Sequence, residues 1–102
     1  MIRGKISPYL LDPPHSIARP NQVIDLANEF VENGWDKTKP KLIAYPFKNR
    51  LQLLSGTHRL AASKLAGLDL IPVIIVSYDI VDKVWGTEKW KELMKLGELN
   101  EK

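Results

Sequence analysis

The residues best suited to chemistry form one short run, Ser55-Gly56-Thr57-His58-Arg59. The run follows an apolar segment and precedes a stretch rich in Leu and Ala, which is the pattern of a strand that turns into a helix. The first backbone N–H groups of a helix have no partner within the helix, and the helix dipole adds partial positive charge there. The run therefore predicts an anion site, and phosphate is the anion that suits it best.

Each side chain of this run has a role in such a site. Gly56 lets the backbone approach the anion or adopt a positive φ. The hydroxyl groups of Ser55 and Thr57 can donate hydrogen bonds. Arg59 can make a two-pronged charged contact, and His58 can donate to phosphate or transfer a proton. The alternative is purely structural, because Ser or Thr before a helix is commonly a cap and Gly at such a junction is commonly a turn.

Composition limits the class of protein. The 102 residues, 44% of them hydrophobic, suffice for one compact domain with a single core. The lack of cysteine excludes disulfides, thiolate metal sites and cysteine nucleophiles. A formal net charge of +3 permits an anionic partner but is not by itself a nucleic-acid signature. No run approaches the roughly 20 apolar residues that span a bilayer, which predicts a soluble, cytoplasmic protein with no membrane partner.

The elements that position the run begin with a proline-rich segment. A short strand is expected near Lys5 to Leu11, followed by an extended linker. The next segment predicts a helix, with Asn21 as its N-cap and Gly34 as its stop. Its apolar face follows helical spacing and consists of Val23, Leu26, Ala27, Phe30 and Val31.

A hairpin and a second helix bracket the run itself. Residues 41–45 and 51–54 predict the two hairpin strands, because prolines bound the first and a turn segment separates them. A helix is expected over 57–66 and should stop at Gly67. Its predicted core residues are Leu60, Ala61 and Leu65.

The last elements follow from a run of β-branched residues and from helix caps. Residues 71–76 predict a strand buried on both faces. Ser77 or Asp79 can open a short helix, and Thr87 can cap another. Trp85 and Trp90 in these helices either pack over the edge of the core or stack on a base or partner.

The order of these elements resembles the ParB/sulfiredoxin superfamily over roughly residues 5–78. Two motifs carry the resemblance, Gly-Thr-His-Arg-Leu-Ala-Ala at 56–62 and Gly-Leu-Asp-Leu-Ile-Pro-Val-Ile-Ile-Val at 67–76. The corresponding box is Gly-Glu-Arg-Arg-like in ParB-type domains, Gly-Cys-His-Arg in sulfiredoxins and Asp-Gly-His-Thr-Arg-like in related free-serine kinases. The resemblance implies a small α/β (α+β) domain over 1–78, with helices packed on a mixed sheet. Residues 79–102 would form a C-terminal helical extension on the same domain.

The resemblance also implies that the turn holds nucleotide phosphates, and it places three residues of the first helix opposite the turn. Gln22 is then a nucleotide-binding residue. Asp25 and Glu29 stand where relatives tend to carry Lys, Ser or Thr, and they would repel bare phosphate unless Mg²⁺ or a substrate amine lies between. With His58 they are the predicted catalytic residues, acting as general base or holding the metal. The alternative is that both carboxylates simply face solvent on an amphipathic helix.

Two further points limit the chemistry. Thr57 stands where sulfiredoxins have their cysteine, so this chain is not a sulfiredoxin reductase. Arg19 could reach the phosphate pocket at this turn. In the family the N-terminal segment borders that pocket, and in this chain the segment contains Asp12 and His15. His15 and His58 do not indicate a metal pair without a third ligand.

Three functions remain in competition. The first is a nucleotide-binding protein that takes ATP or another nucleotide with Mg²⁺ and, as an enzyme, would be an NTP hydrolase or phosphotransferase. The second is a DNA-binding or nuclease module, in which Arg59 and the segment 37–50 contact the nucleic-acid backbone. The third is a non-catalytic interaction domain of phage or plasmid origin, with a protein partner or a homodimer.

Overall fold

One mixed β-sheet of five strands forms the centre of the molecule in the computed structural model, which describes residues 2–96. Helices cover both faces of the sheet. In chain order the elements are β1 (Ile2–Ile6), a 3₁₀ turn (Pro8–Leu10), β2 (Leu11–Asp12), α1 (Pro20–Asn33), β3 (Leu42–Phe47), β4 (Arg50–Leu53), α2 (Thr57–Leu65), β5 (Ile71–Ile75), α3 (Tyr78–Val84) and α4 (Lys89–Lys95).

The strand order across the sheet is β1-β5-β3-β4-β2. β1 is antiparallel to β5 and β3 is antiparallel to β4, whereas β3–β5 and β4–β2 are parallel pairs. The predicted hairpin is confirmed. Lys48 and Asn49 connect its strands with φ values of 50° and 64°, and two consecutive positive φ angles give the tight turn that matches strand twist. The first predicted strand is wrong in extent, because a 3₁₀ turn at Pro8 separates β1 from β2.

Alternate residues of the central strands supply cores on opposite faces of the sheet. Leu42 of β3 packs in a cluster with Leu60 of α2, and its neighbour Ile43 packs with Val81 of α3 and Leu93 of α4. β5 contributes to both clusters, which confirms a strand buried on both faces. α2 therefore lies on one face of the sheet, and α3 and α4 lie on the other.

α1 packs against α2, and it begins two residues earlier than predicted. The helix begins at Pro20 with Arg19 as N-cap, so the prediction of Asn21 as the cap is wrong. Proline suits the first helical position because its missing N–H would have no partner there. Gly34 ends the helix at φ 72° as predicted, and its N–H donates to the carbonyl of Phe30 at 2.8 Å. Val31 is 68% exposed and does not belong to the buried face.

The buried face of α2 is only partly the predicted one. Leu60 is buried as expected, but Leu65 is 64% exposed, and Ala62 and Ser63 are fully buried instead. Ala62 lies in the cluster formed with α1. Because α2 contacts the sheet on one side and α1 on another, small residues face α1 and the leucine at the helix end faces solvent.

The C-terminal helices pack on the sheet through the residues that the structure describes. Ser77 caps α3 by accepting a hydrogen bond from the N–H of Ile80 at 3.4 Å. Thr87 is not the cap of α4, which begins after Glu88. Trp85 and Trp90 contact each other edge to face, with ring centroids 4.5 Å apart. The predicted extension continues over 97–102, which lie outside the described residues.

No helix within residues 2–96 is both long and apolar enough to cross a membrane.

Candidate anion-binding site

The start of α2 presents three backbone N–H groups that lack acceptors within the helix. The first helical hydrogen bond runs from the N–H of Leu60 to the carbonyl of Gly56 at 2.9 Å, which leaves the preceding N–H groups of Thr57, His58 and Arg59. Gly56 is the N-cap at φ 98° and ψ 27°, a left-handed conformation that favours glycine. A Cβ there would also overlap Cδ2 of the buried Leu42. Any other residue at position 56 would therefore strain both the backbone of this turn and the packing of Leu42.

A cleft of about 450 Å³ opens at this turn. It lies where the N-terminal half of α1 meets the N-terminus of α2, so partial positive charge from both helices is directed at one region. Among the lining side chains from residues 2–96, three are cationic, two are histidines and none is a carboxylate. The lining residues are His15, Ala18, Arg19, Gln22, Leu26, Lys39, Gly56, Thr57, His58 and Arg59.

Arg59 is a half-buried cation at the centre of this arrangement. Its Nη1 donates a hydrogen bond to the carbonyl of Pro40, and its guanidinium carbon lies 5.7 Å from the centroid of the Trp35 ring. Burial lowers the pKa of Arg59 from its ordinary value, because the charged form loses hydration. Within residues 2–96 no carboxylate pairs with it. A partly desolvated guanidinium with no carboxylate partner among the described residues therefore lies at the start of α2, where the first backbone N–H groups have no acceptor within the helix.

His58 links the starts of the two helices. Its Nε2 accepts a hydrogen bond from the backbone N–H of Arg19 at 3.0 Å. This bond requires a lone pair on Nε2, so the neutral ring carries its hydrogen on Nδ1. His58 can then donate a hydrogen bond through Nδ1, but Nε2 is occupied and cannot serve as a base while the bond exists.

The second histidine of the cleft contacts the first. The ring centroids of His15 and His58 lie 6.2 Å apart. Nδ1 of His15 is 2.8 Å from the carbonyl oxygen of Ser16. Among residues 2–96 there is no group of three His, Cys, Asp or Glu side chains placed to hold a metal ion.

The hydroxyl residues of the turn differ in their placement. Thr57 lines the cleft and is only 3% exposed, and its Oγ1 has no hydrogen-bond partner among the described residues. An unpaired buried hydroxyl is costly, so Oγ1 of Thr57 is a candidate hydrogen-bonding group for a ligand in the cleft. Ser55 is half-buried and is not among the lining residues. Gln22 does line the cleft, as the resemblance implies.

The two carboxylates predicted opposite the turn do not line this cleft. Asp25 is exposed on α1. Glu29 lines a neighbouring cleft of about 580 Å³ that includes Trp35 and Asp36, and its Oε2 lies 4.0 Å from Nζ of Lys39. The structure thus brings Lys39 to the cleft at the start of α2, where the resemblance implied carboxylates. Nothing in the spacing of the irregular segment between α1 and β3 indicates that Lys39 reaches it.

Neither a family model nor a curated protein sequence matches the chain. Solved structures do. The C-terminally truncated chromosome-partitioning protein ParB from Caulobacter crescentus in complex with CTP-γ-S is similar at 20% identity and a TM-score of 0.63, with 86% of this chain and 56% of that chain covered. The same protein complexed to the centromeric parS site matches at 23% identity and a TM-score of 0.58, with coverages of 81% and 45%.

Sulfiredoxin from Arabidopsis thaliana is similar at 17% identity and a TM-score of 0.61, with 81% of this chain and 96% of the sulfiredoxin chain covered. The chain therefore spans about half of the ParB chains and nearly all of the sulfiredoxin. These likenesses show a ParB/sulfiredoxin-like fold, which confirms the predicted fold class.

Proposed function

We propose that this domain of ParB/sulfiredoxin-like fold binds a nucleotide and holds its phosphates in the cleft at the start of α2. The observation that carries the proposal is the state of Arg59, a half-buried cation with no carboxylate partner among the described residues. Burying an unpaired charge is unfavourable, so such groups are commonly paired with an ion of opposite sign. A phosphate at the unpaired N–H groups of Thr57 and His58 would supply that ion.

The charges around the cleft support a ligand with several negative charges. Arg19 and Lys39 line it together with Arg59, and no carboxylate from the described part of the chain does so. Partly enclosed charges are screened less by salt than exposed ones, so their attraction for an anion adds up. A polyphosphate can contact several of these cations at once.

The size of the cleft and the structural likenesses support a nucleotide over bare phosphate. A volume of about 450 Å³ lies in the range of small-molecule sites. One similar structure, ParB from Caulobacter crescentus, contains CTP-γ-S. We infer that a nucleoside triphosphate is the preferred ligand, with CTP and ATP the first to test.

The test is calorimetric titration with CTP, ATP, GTP, ADP and inorganic triphosphate, each with and without Mg²⁺. Arg59→Met removes the charge and its bonds to phosphate, and a charge-assisted hydrogen bond is worth about 1.5–3 kcal/mol, or about 10- to 150-fold in affinity. We expect binding by the wild type and a loss of this size in the variant. Arg50→Met is the matched control, because Arg50 lies outside the cleft and is bonded to Asp12 at 3.0 Å.

Two results would refute the proposal. One is the absence of wild-type binding at millimolar ligand. The other is equal affinity of wild type and Arg59→Met. Because Arg59 also bonds to Pro40, Arg19→Met provides a second charge removal that leaves this bond intact, and it should weaken binding too.

DNA is the second candidate ligand. Lys37 and Lys48 are exposed and form no ion pair within the described residues, which favours contact with a polyanionic backbone. Arg50 is less suited than the sequence suggested, since Asp12 and the carbonyl of Tyr9 occupy it. Mobility-shift titrations at low salt with wild type and Lys48→Ala test this candidate. It fails if no shift occurs, or if the shift is unchanged in Lys48→Ala and Arg59→Met alike.

A further inference from the structure

Lys39 lines the cleft at the start of α2, here called the anion cleft, and already has an anionic partner. Nζ of Lys39 lies 4.0 Å from Oε2 of Glu29, with the two side chains 42% and 60% exposed. Lys39 lines the anion cleft and Glu29 lines the neighbouring one, so the pair lies at the boundary between the two. Exposed ion pairs at this distance are weak, and a stronger anion displaces them easily.

The loop that carries Lys39 is held in place by residues of the site. Arg59 donates to the carbonyl of Pro40, the next residue, and lies over the ring of Trp35. Trp35 in turn stacks on Phe30 of α1, with ring centroids 5.2 Å apart. The backbone on both sides of Lys39 is thereby fixed against the cleft. Its ammonium group can therefore pair with either of two anions, the Glu29 carboxylate or a ligand at the start of α2.

A second local turn stiffens the same loop. The N–H and the hydroxyl of Thr38 both donate to Oδ1 of Asp36, at 2.9 and 2.6 Å. Asp36 is thus engaged with its own loop. Asp36 also attracts Lys39 electrostatically. Among the described residues, however, Glu29 is the acidic residue whose carboxylate forms an ion pair with Lys39, at 4.0 Å.

We propose that Glu29 competes with the phosphates of the ligand for Lys39. The inference rests on the proposed nucleotide function of the cleft. Without ligand, Glu29 neutralises Lys39. A polyphosphate at the start of α2 carries more charge than one carboxylate and gains the helix N-terminus and Arg59 as well, so it draws Lys39 away from Glu29. Glu29 therefore lowers affinity, which is the opposite of what a metal ligand or a general base at this position would do for Mg²⁺–nucleotide binding.

The test is calorimetric titration with inorganic triphosphate, in EDTA and in Mg²⁺. Glu29→Gln should tighten binding two- to fivefold in both conditions, in line with the strength of exposed ion pairs. Lys39→Met should weaken binding, and Glu29→Gln should have no further effect in the Lys39→Met background. Glu32→Gln is the matched control: it removes the same charge one turn along α1, at an exposed residue outside both clefts, and should change affinity by less than half as much.

The outcomes separate this inference from the function on which it rests. Equal effects of Glu29→Gln and Glu32→Gln, or weaker binding in Glu29→Gln, overturn the inference. Weakening that occurs only in Mg²⁺ overturns it as well and assigns Glu29 to a metal. Wild-type binding that depends on Arg59 but not on Glu29 preserves the nucleotide function and refutes only the competition. Absence of wild-type binding refutes both.

Discussion

Replacing Gly56 by alanine tests whether the turn at the start of α2 has the geometry on which the proposed anion site depends. Gly56 has φ 98°, where an L-residue brings its Cβ close to the backbone. The added Cβ would also overlap Cδ2 of Leu42, which is 1% exposed and packs between the sheet and α2. Neither strain can be relieved by a side chain swinging into solvent.

The expected loss has two parts. A left-handed conformation costs an L-residue about 1–2 kcal/mol. Overpacking of a buried site costs about 1–3 kcal/mol more. The free energy of unfolding should therefore fall by about 2–5 kcal/mol, a large share of the roughly 5–15 kcal/mol of an ordinary domain. For a domain of this size the Tm should fall by about 10–30 °C.

The assay is urea denaturation and thermal melting of Gly56→Ala beside Gly67→Ala. Gly67 has a φ of 74°, also left-handed, but no atom lies within 4 Å of the position of its Cβ. Gly67→Ala should therefore show the backbone cost alone, and the difference between the two variants measures the clash with Leu42. Equal losses of unfolding free energy in the two variants would show that the Cβ at position 56 does not clash with Leu42. The proposed geometry of the turn would then be wrong.

Three further predictions concern the rest of the domain. His58→Ala removes the acceptor at the start of α1 and should lower the free energy of unfolding in urea by about 0.5–1.5 kcal/mol; a wild-type value would contradict it. Bonds from Thr38 lower the pKa of Asp36, so Thr38→Ala should raise it. The pKa of Asp36 is lower in the folded than in the unfolded state, so the bonds from Thr38 stabilise the fold at pH values above the unfolded-state pKa. That stabilisation is lost as the pH falls through the folded-state pKa. An NMR titration of the Asp36 carboxyl group measures the change, and an unchanged pKa in Thr38→Ala would refute the role of these hydrogen bonds. Leu60→Ala should lower the free energy of unfolding by about 2–5 kcal/mol, and Leu65→Ala by less than about 0.5 kcal/mol, because Leu60 is buried and Leu65 is exposed. Equal losses would contradict this difference in burial.

Much of the fold could be predicted because the signals were local. Gly34 and Gly67 end their helices with positive φ, as glycine at such positions predicts. The β-branched run at residues 71–76 gave a central strand because its length and composition left few alternatives. The resemblance to the ParB/sulfiredoxin superfamily then implied a mixed sheet with helices packed on it, and the strand order came from the structure.

The errors arose where tertiary contacts decide. Val31 follows the helical spacing of α1 and Leu65 lies in the Leu- and Ala-rich α2, yet both are exposed. α2 is flanked by the sheet and by α1, and it places the small Ala62 where the two helices meet. Asn21 is a good cap by type, but Pro20 starts the helix earlier and Arg19 makes its N–H bond to His58. Propensity describes one element at a time and cannot include such partners.

The candidate site was predicted in part for the same reason. Gly56 to Arg59 are contiguous, and a strand–helix junction fixes where their N–H groups point. Lys39 and Glu29 lie on an irregular loop and on α1, and which of them faces the cleft depends on the packing of Trp35 and on the bond from Arg59. No periodic pattern encodes those contacts.

The most direct test of the central claim is an NMR titration of the ¹⁵N-labelled protein with inorganic triphosphate at constant ionic strength. If the anion binds at the start of α2, the backbone N–H resonances of Thr57, His58 and Arg59 will shift most and saturate together. An equal concentration of chloride should not reproduce the shifts. Anion binding at these groups is contradicted if the three resonances stay unchanged at millimolar triphosphate, or if the largest shifts fall on a different surface of the domain.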